Sequence, residues 1–207
     1  DRTERPAAEA SLEDIVVRDT RFLTDYQDAA YAERYEQLVR RVATAEAARA
    51  PGHNGLAEAV ARNFFKLMAH KDEYEVARLY AETDFVERIA SQYEGNWRLE
   101  FHLAPPLWAA RDPATGHQVK RTYGPWVLTA FRLLARLRRL RGTVFDPFGR
   151  TSERRMARRL IGDYEAEMEE VMAALSPGNH GLAVEFARIP DAIRGFGHVW
   201  STNCIGR

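Results

Sequence analysis

Trp97-Arg98-Leu99-Glu100-Phe101-His102-Leu103-Ala104-Pro105-Pro106 interrupts a chain that is otherwise rich in alanine, arginine and helical periodicity. Leu99, Phe101 and Leu103 alternate with Arg98, Glu100 and His102, the period of two that belongs to a half-buried strand. Asp112-Pro113-Ala114-Thr115-Gly116 reads as a turn, with proline setting φ and glycine open to a positive one. Gln118 to Tyr123 alternates again, with Val119 and Tyr123 on one side. The economical reading is an antiparallel β-hairpin over about 97–123, bent at Pro105-Pro106 where a ladder donor is missing. Tyr123-Gly124-Pro125-Trp126 then puts proline at a first helical position, and Phe145-Asp146-Pro147-Phe148-Gly149 makes a further break.

On both sides of this segment the apolar residues return every three or four positions. Ser11-Leu12-Glu13-Asp14 is a helix start, with acids in the first turn and Ile15, Val16, Phe22 and Leu23 following. A second helix is predicted from about Asp28 to Arg49, ended by Pro51-Gly52-His53-Asn54-Gly55. Leu56, Val60, Phe64, Leu67 and Met68 form a clean stripe that predicts burial. Shorter helices are expected over Asp72 to Tyr80 and Asp84 to Tyr93. After Pro125, the residues Trp126, Val127, Ala130, Phe131, Leu134, Leu137 and Leu140 are read as one inward face. The longest helix spans about Thr151 to Leu175, with Met156, Leu160, Ile161, Tyr164, Met168, Val171, Met172 and Leu175 as its stripe. Asn179 to Arg188 is the last. The fold class is therefore mainly α: a flexible polar lead-in over 1–10, then a single helical domain over 11–207 carrying the small hairpin.

Composition limits what such a domain can be. The 207 residues are 45% hydrophobic and 29% charged, which suits a chain able to bury its own core. Basic and acidic residues balance at 30 each, so the chain as a whole is no polyanion binder. The 27 arginines against three lysines are read as genomic base composition rather than phosphate recognition. No apolar run approaches the length of a membrane span, no secretory signal is present, and the one cysteine, Cys204, excludes an internal disulfide. A reducing, cytoplasmic setting is the expectation, with no membrane and no nucleic acid as partners. A start at Asp1 without methionine is read as that of a piece cut from a longer polypeptide.

The strongest electrostatic feature lies in residues 132–159, where ten arginines face only Asp146 and Glu153. Arg138, Arg139, Arg154, Arg155 and Arg158 are taken as a docking surface from this group. The plainer alternative is an internal salt-bridge surface, with partners such as Asp163, Glu165, Glu167, Glu169 and Glu170. The helix from Thr151 is basic at its start and acidic near its end, against its dipole, which argues that these charges have partners elsewhere. The histidines do not cluster. His102 admits an acid–base role beside Glu100 or Lys120, against the plainer reading of an exposed cross-strand polar pair. His102, Lys120, Arg121 and His198 are the candidates for a ligand pocket. The spacing of His198 and Cys204 is a weak metal signal, and no catalytic, cofactor-binding or metal-ligating set is assigned.

Taken in order, several motifs resemble a known family. They are Asn63-Phe64-Phe65-Lys66-Leu67-Met68-Ala69, Lys71-Asp72-Glu73-Tyr74-Glu75-Val76-Ala77-Arg78-Leu79-Tyr80, Phe101-His102-Leu103-Ala104-Pro105-Pro106, Gly124-Pro125-Trp126, Arg141-Gly142-Thr143, Phe145-Asp146-Pro147-Phe148-Gly149 and Ile193-Arg194-Gly195-Phe196-Gly197-His198-Val199. Together they resemble the helical C-terminal region, of no assigned function, of the large single-chain indolepyruvate ferredoxin oxidoreductases. The resemblance implies a parent enzyme that oxidatively decarboxylates aryl 2-oxoacids to acyl-CoA. It implies thiamine diphosphate, magnesium, iron–sulfur clusters and CoA for that parent, and ferredoxin as electron acceptor. None of this machinery maps onto residues of this chain, and one cysteine cannot hold a cluster. The expectation is an accessory, non-catalytic domain whose partners are other domains of the same polypeptide. The alternative is an autonomous ligand- or partner-binding module, such as a basic docking face for ferredoxin.

Overall fold

Ser11 accepts the Asp14 N–H at 3.2 Å while the Asp14 carboxylate accepts the Ser11 N–H at 3.1 Å, a reciprocal cap that starts α1 (Leu12–Tyr26). Asp28 caps α2 (Ala29–Arg49) by accepting the Tyr31 N–H at 2.8 Å. Helix α3 (Leu56–Met68) begins behind Gly55, whose φ of +114° suits glycine and which has no side chain to offer as a cap. Asp72 caps α4 (Glu73–Ala81), and α5 (Phe85–Gln92) follows. Strands β1 (Phe101–Leu103) and β2 (Arg121–Tyr123) pair antiparallel, Phe101 opposite Tyr123 and Leu103 opposite Arg121. Then come α6 (Val127–Arg136) with a 3₁₀ turn over Leu137–Leu140, α7 (Ser152–Ala174) and α8 (His180–Ala187).

This computed structural model describes residues 10–93, 95, 98–103 and 121–190, the side chains of Ser152 and Glu153 excepted. The chain is mainly α, with one small antiparallel strand pair, as its periodicity predicts. The expected turn at Asp112–Gly116, the bend at Pro105-Pro106 and the lead-in over 1–9 lie outside the described residues. No helix among those described is long and apolar enough to cross a membrane.

The residues group into two compact units. The first joins Asp1–Ala69 with Ala157–Ile193, the second His70–Met156 with Arg194–Arg207. In the first unit, the stripes of α1, α2 and α3 bury Ile15, Leu23, Tyr35, Leu38, Leu56, Val60 and Phe64 almost completely. Tyr35 stacks on Phe64 at 6.1 Å between ring centroids, and Phe64 stacks on Tyr164 of α7 at 5.8 Å. The Tyr164 hydroxyl ties α7 to the end of α8 by donating to the Ala187 carbonyl at 2.9 Å. Ile161, Tyr164, Met168, Met172 and Leu175 are buried as the stripe of α7 predicts, but Met156 and Leu160 are exposed; burial of that stripe starts only at Ile161.

In the second unit, α4 packs against α6, with Ala77 and Ala135 fully buried. These small side chains let two helix axes approach closely. That choice corrects the expected face of α6. Val127 is buried and Phe131, Leu134 and Leu140 are partly covered, whereas Trp126, Ala130 and Leu137 point into solvent. Tyr80, Phe85, Phe101 and Phe131 form an aromatic cluster with centroid distances of 4.7–5.9 Å, which anchors β1 to α4, α5 and α6.

Two tyrosines make the fold sensitive to alkali. The Tyr35 hydroxyl donates toward the buried Asp19 carboxylate at 3.2 Å and toward the Ala61 carbonyl at 3.3 Å. Burial first, and then the Asp19 charge, push its phenol well above the ordinary value; burial and Asp146 do the same to Tyr74. The unfolded phenols ionise near pH 10 while the folded chain retains their protons. Their contribution to stability is therefore complete below about pH 10 and is lost as pH rises beyond it. The urea midpoint is expected to stay level from about pH 8 to 9.5 and then fall, and to fall less steeply in Tyr35→Phe. An identical fall in the variant would remove Tyr35 as a source.

Candidate functional site

His102 sits mid-strand in β1, opposite Thr122 of β2, with its Nδ1 3.1 Å from the Thr122 hydroxyl and both side chains exposed. Arg121 stands opposite Leu103, and side chains alternate along a strand, so Arg121 leaves the pair on the other face from His102. The structure brings His102 to Thr122 and does not bring Arg121 to it. Lys120 and His198 lie outside the described residues, as does Cys204. Among the described residues no group of three His, Cys, Asp or Glu side chains is placed to hold a metal ion.

The motif residues from Arg141 to Gly149 form the most organised polar site of the second unit. Arg141 grips the Asp72 carboxylate with two hydrogen bonds, Nε at 2.6 Å and Nη2 at 2.8 Å, and its guanidinium lies 5.3 Å from the centre of the Tyr74 ring. The same Asp72 accepts the Glu75 N–H at 2.8 Å as the cap of α4. Gly142 takes a φ of +77°, and its N–H donates to Asp146 at 2.8 Å. Asp146 is 3% exposed and also accepts the Phe148 N–H at 3.1 Å and the Tyr74 hydroxyl at 3.2 Å. Phe148 meets the Tyr74 ring edge-to-face at 5.3 Å. Arg141, Gly142, Asp146 and Phe148 thus close a loop onto the start of α4, and at its tip Val144 and Phe145 are 78% and 76% exposed.

The arginine-rich segment divides in two. Arg138 pairs with Glu82 and Arg154 with Glu73, each at 3.0 Å, so both are engaged by the ends of α4 within their own unit. Arg139 and Arg155 are exposed and have no acidic partner among the described residues, and Arg158 is exposed on the part of α7 in the first unit. Two of the α7 acids expected as internal partners for this cluster pair instead with α2, which corrects the expectation for them. Glu165 binds Arg34 through two hydrogen bonds, Nε at 2.6 Å, and Glu169 pairs with Arg41, both arginines of α2. Asp163 meets an arginine of the cluster, Arg159, at 3.4 Å on the same helix.

A second polar site, in the first unit, was not singled out from the sequence. Glu46 is 6% exposed, and its two oxygens accept the Leu56 and Ala57 N–H groups at 2.8 and 2.9 Å, capping α3 from α2 in place of Gly55. His180 Nε2 lies 2.7 Å from Glu46 Oε1, and the His53 ring lies 5.0 Å from that of His180. The one available sequence signal was Asn54-Gly55 before α3, a helix start with no capping side chain of its own at the last position. Every oxygen of Glu46 is used by these donors, so the site builds the fold rather than presenting a free base.

Residues 12–204 match the model of a family of unknown function, DUF6537, and the chain belongs to that family. Neither the curated proteins nor the solved structures contain a match to it.

Both carboxylates can be tested by truncation. Asp146→Ala strands two N–H groups and a hydroxyl, and Glu46→Ala strands two N–H groups and His180. Each is expected to lower unfolding free energy by about 3 kcal/mol in urea denaturation, against less than about 0.5 kcal/mol for Arg139→Ala. Equal, small effects of all three would show that these carboxylates do not hold the structure together.

Proposed function

We propose that this member of the DUF6537 family is an accessory, non-catalytic helical module of an indolepyruvate:ferredoxin oxidoreductase. In that reaction the aryl 2-oxoacid is oxidised, carbon dioxide leaves, CoA takes the acyl group and ferredoxin is reduced. The observation that carries the reading is the use made of the motif residues behind the resemblance. Arg141, Gly142, Asp146 and Phe148 hold a loop against α4, and every acceptor position of Asp146 that the loop reaches is occupied by a structural donor. Residues this distinctive in order, and this committed to architecture, support a domain that shapes an assembly.

Thiamine diphosphate, magnesium, CoA and the iron–sulfur clusters belong, in this reading, to other domains of the same cytoplasmic polypeptide. This chain does not fit the clusters: they are held by sets of cysteine thiolates, and Cys204 is its one cysteine. No step of the reaction is assigned to residues here. Arg139 and Arg155, exposed and without acidic partners among the described residues, favour a second role as a basic docking face for acidic ferredoxin.

The test uses the full-length polypeptide, purified without oxygen and assayed for ferredoxin reduction with indolepyruvate and CoA. Substrate-dependent reduction is expected. Asp146→Ala should shorten the enzyme's thermal half-life while leaving kcat per folded molecule within about twofold. Absence of reduction with every aryl 2-oxoacid, or a collapse of kcat in fully folded variant, overturns the reading. For the second role, Arg139→Glu with Arg155→Glu should raise the KM for ferredoxin and flatten its dependence on salt.

A further inference from the structure

Helix α6 is apolar around most of its circumference, and the described residues of the second unit cover only part of it. Val127 and Ala135 are buried, while Trp126, Leu133 and Leu137 are 63%, 62% and 41% exposed, with Ala130 exposed between them. Positions 126, 130, 133 and 137 follow spacings of four, three and four. With Trp126 at the N-cap of α6 and Leu137 at the start of the 3₁₀ turn, they form one ridge about 16 Å long on the outward side of the helix and its two ends. Single exposed apolar residues are ordinary. A ridge with this period is the surface that one helix offers to another.

Charge selects the occupant. Residues 127–140 contain Arg132, Arg136, Arg138 and Arg139 and no acid. Arg138 is paired with Glu82, but Arg132 and Arg136 are exposed, without acidic partners among the described residues. They lie one turn apart along the edge of the ridge beside Leu133 and Leu137. A second copy brings no carboxylate to this edge, and an antiparallel two-fold pairing sets arginine against arginine. An anionic bilayer is uniform around a helix lying on it, whereas these arginines stand on one edge only. Nucleic acid has no use for the apolar ridge.

We propose that the outward face of α6 docks an amphipathic helix of a partner protein, with an apolar stripe for Trp126, Ala130, Leu133 and Leu137 and carboxylates opposite Arg132 and Arg136. The inference stands on this face and is independent of the oxidoreductase reading, which can fail without it.

The probe is a labelled synthetic helical peptide of about 18 residues, leucine at its a and d positions and glutamate at e and g, titrated against the full chain by fluorescence anisotropy. A companion peptide carries lysine in place of glutamate. The glutamate peptide should bind saturably and at least about tenfold more tightly than the lysine peptide, with affinity falling as salt rises. Leu133→Glu should weaken binding by about tenfold or more, and Arg132→Glu with Arg136→Glu should reverse the preference between peptides. Circular dichroism and thermal midpoint should stay at the parent values, because these side chains are exposed. The proposal is overturned by absence of saturable binding, by equal binding of the two peptides, or by indifference to Leu133→Glu. Dimerisation lost in Leu133→Glu assigns the face to a second copy, and sedimentation with phosphatidylserine vesicles lost in that variant assigns it to a membrane. A large drop in thermal midpoint shows that the chain covers the face itself. Each of these three also overturns it.

Discussion

A helix start or a tight loop leaves backbone N–H groups without partners, and burying them unpaired costs about 1–3 kcal/mol apiece. A buried carboxylate carries the opposite problem, since its charge is tolerable only where donors surround it. The chain solves both at once, several times. Asp72 caps α4 and receives Arg141; Glu46 caps α3 from a neighbouring helix and receives His180. Asp146 gathers the N–H groups of its own loop together with the Tyr74 hydroxyl. Remove the carboxylate and donors from two or three separate segments lose their acceptor together. These few acids therefore decide where α3 begins and where the 141–149 loop is fastened.

The same economy explains the charge on α7, which runs against its dipole. Misplaced charges in a terminal turn cost a few tenths of a kcal/mol each. The acidic half is answered by α2, where Arg34 and Arg41 take Glu165 and Glu169. Arg49 donates to the Met172 carbonyl at 2.7 Å and to the Ala173 carbonyl, supplying the positive charge that the C-terminal end lacks in its own sequence. At the basic end Arg154 meets Glu73. Such half-exposed pairs are individually weak. Spaced along two helices, they specify which face of α7 lies toward α2 more than they add stability.

What could be read from the sequence follows the range of each interaction. Helix starts at Ser11, Asp28 and Asp72 were legible because a cap acts over three residues, and α3 was legible because its stripe is unambiguous. The strand pair was legible from alternation, down to the partnership of a polar His102 with a polar neighbour. The inward face of α6 was not. Apolar residues occupy so much of its surface that periodicity offers two faces, and the choice falls to the packing of α4 against α6, in which Ala135, a residue with no hydrophobic prominence, is fully buried. Glu46 and His180 lie 134 positions apart, beyond any local pattern. For the arginine cluster, composition announced an excess of charge but could not say that α4 would take Arg138, Arg141 and Arg154 and leave Arg139 and Arg155 outside.

Distinctive sequence is easily taken for chemistry, and the 141–149 loop shows why the inference needs structure. Arg141 requires Asp72, Gly142 requires its positive φ, Asp146 requires three donors and Phe148 requires the edge of Tyr74. Folding accounts for all four. It does not account for Val144 and Phe145, which the same loop holds three-quarters exposed at its tip. Burying a side chain of that size is worth about 1.5–3 kcal/mol, a stabilisation the loop forgoes at both positions. The tip itself is fastened, the Phe145 N–H donating to the Thr143 hydroxyl at 3.2 Å and Arg150 to the Val144 carbonyl at 3.3 Å, so its backbone is held in place while its side chains stay in solvent.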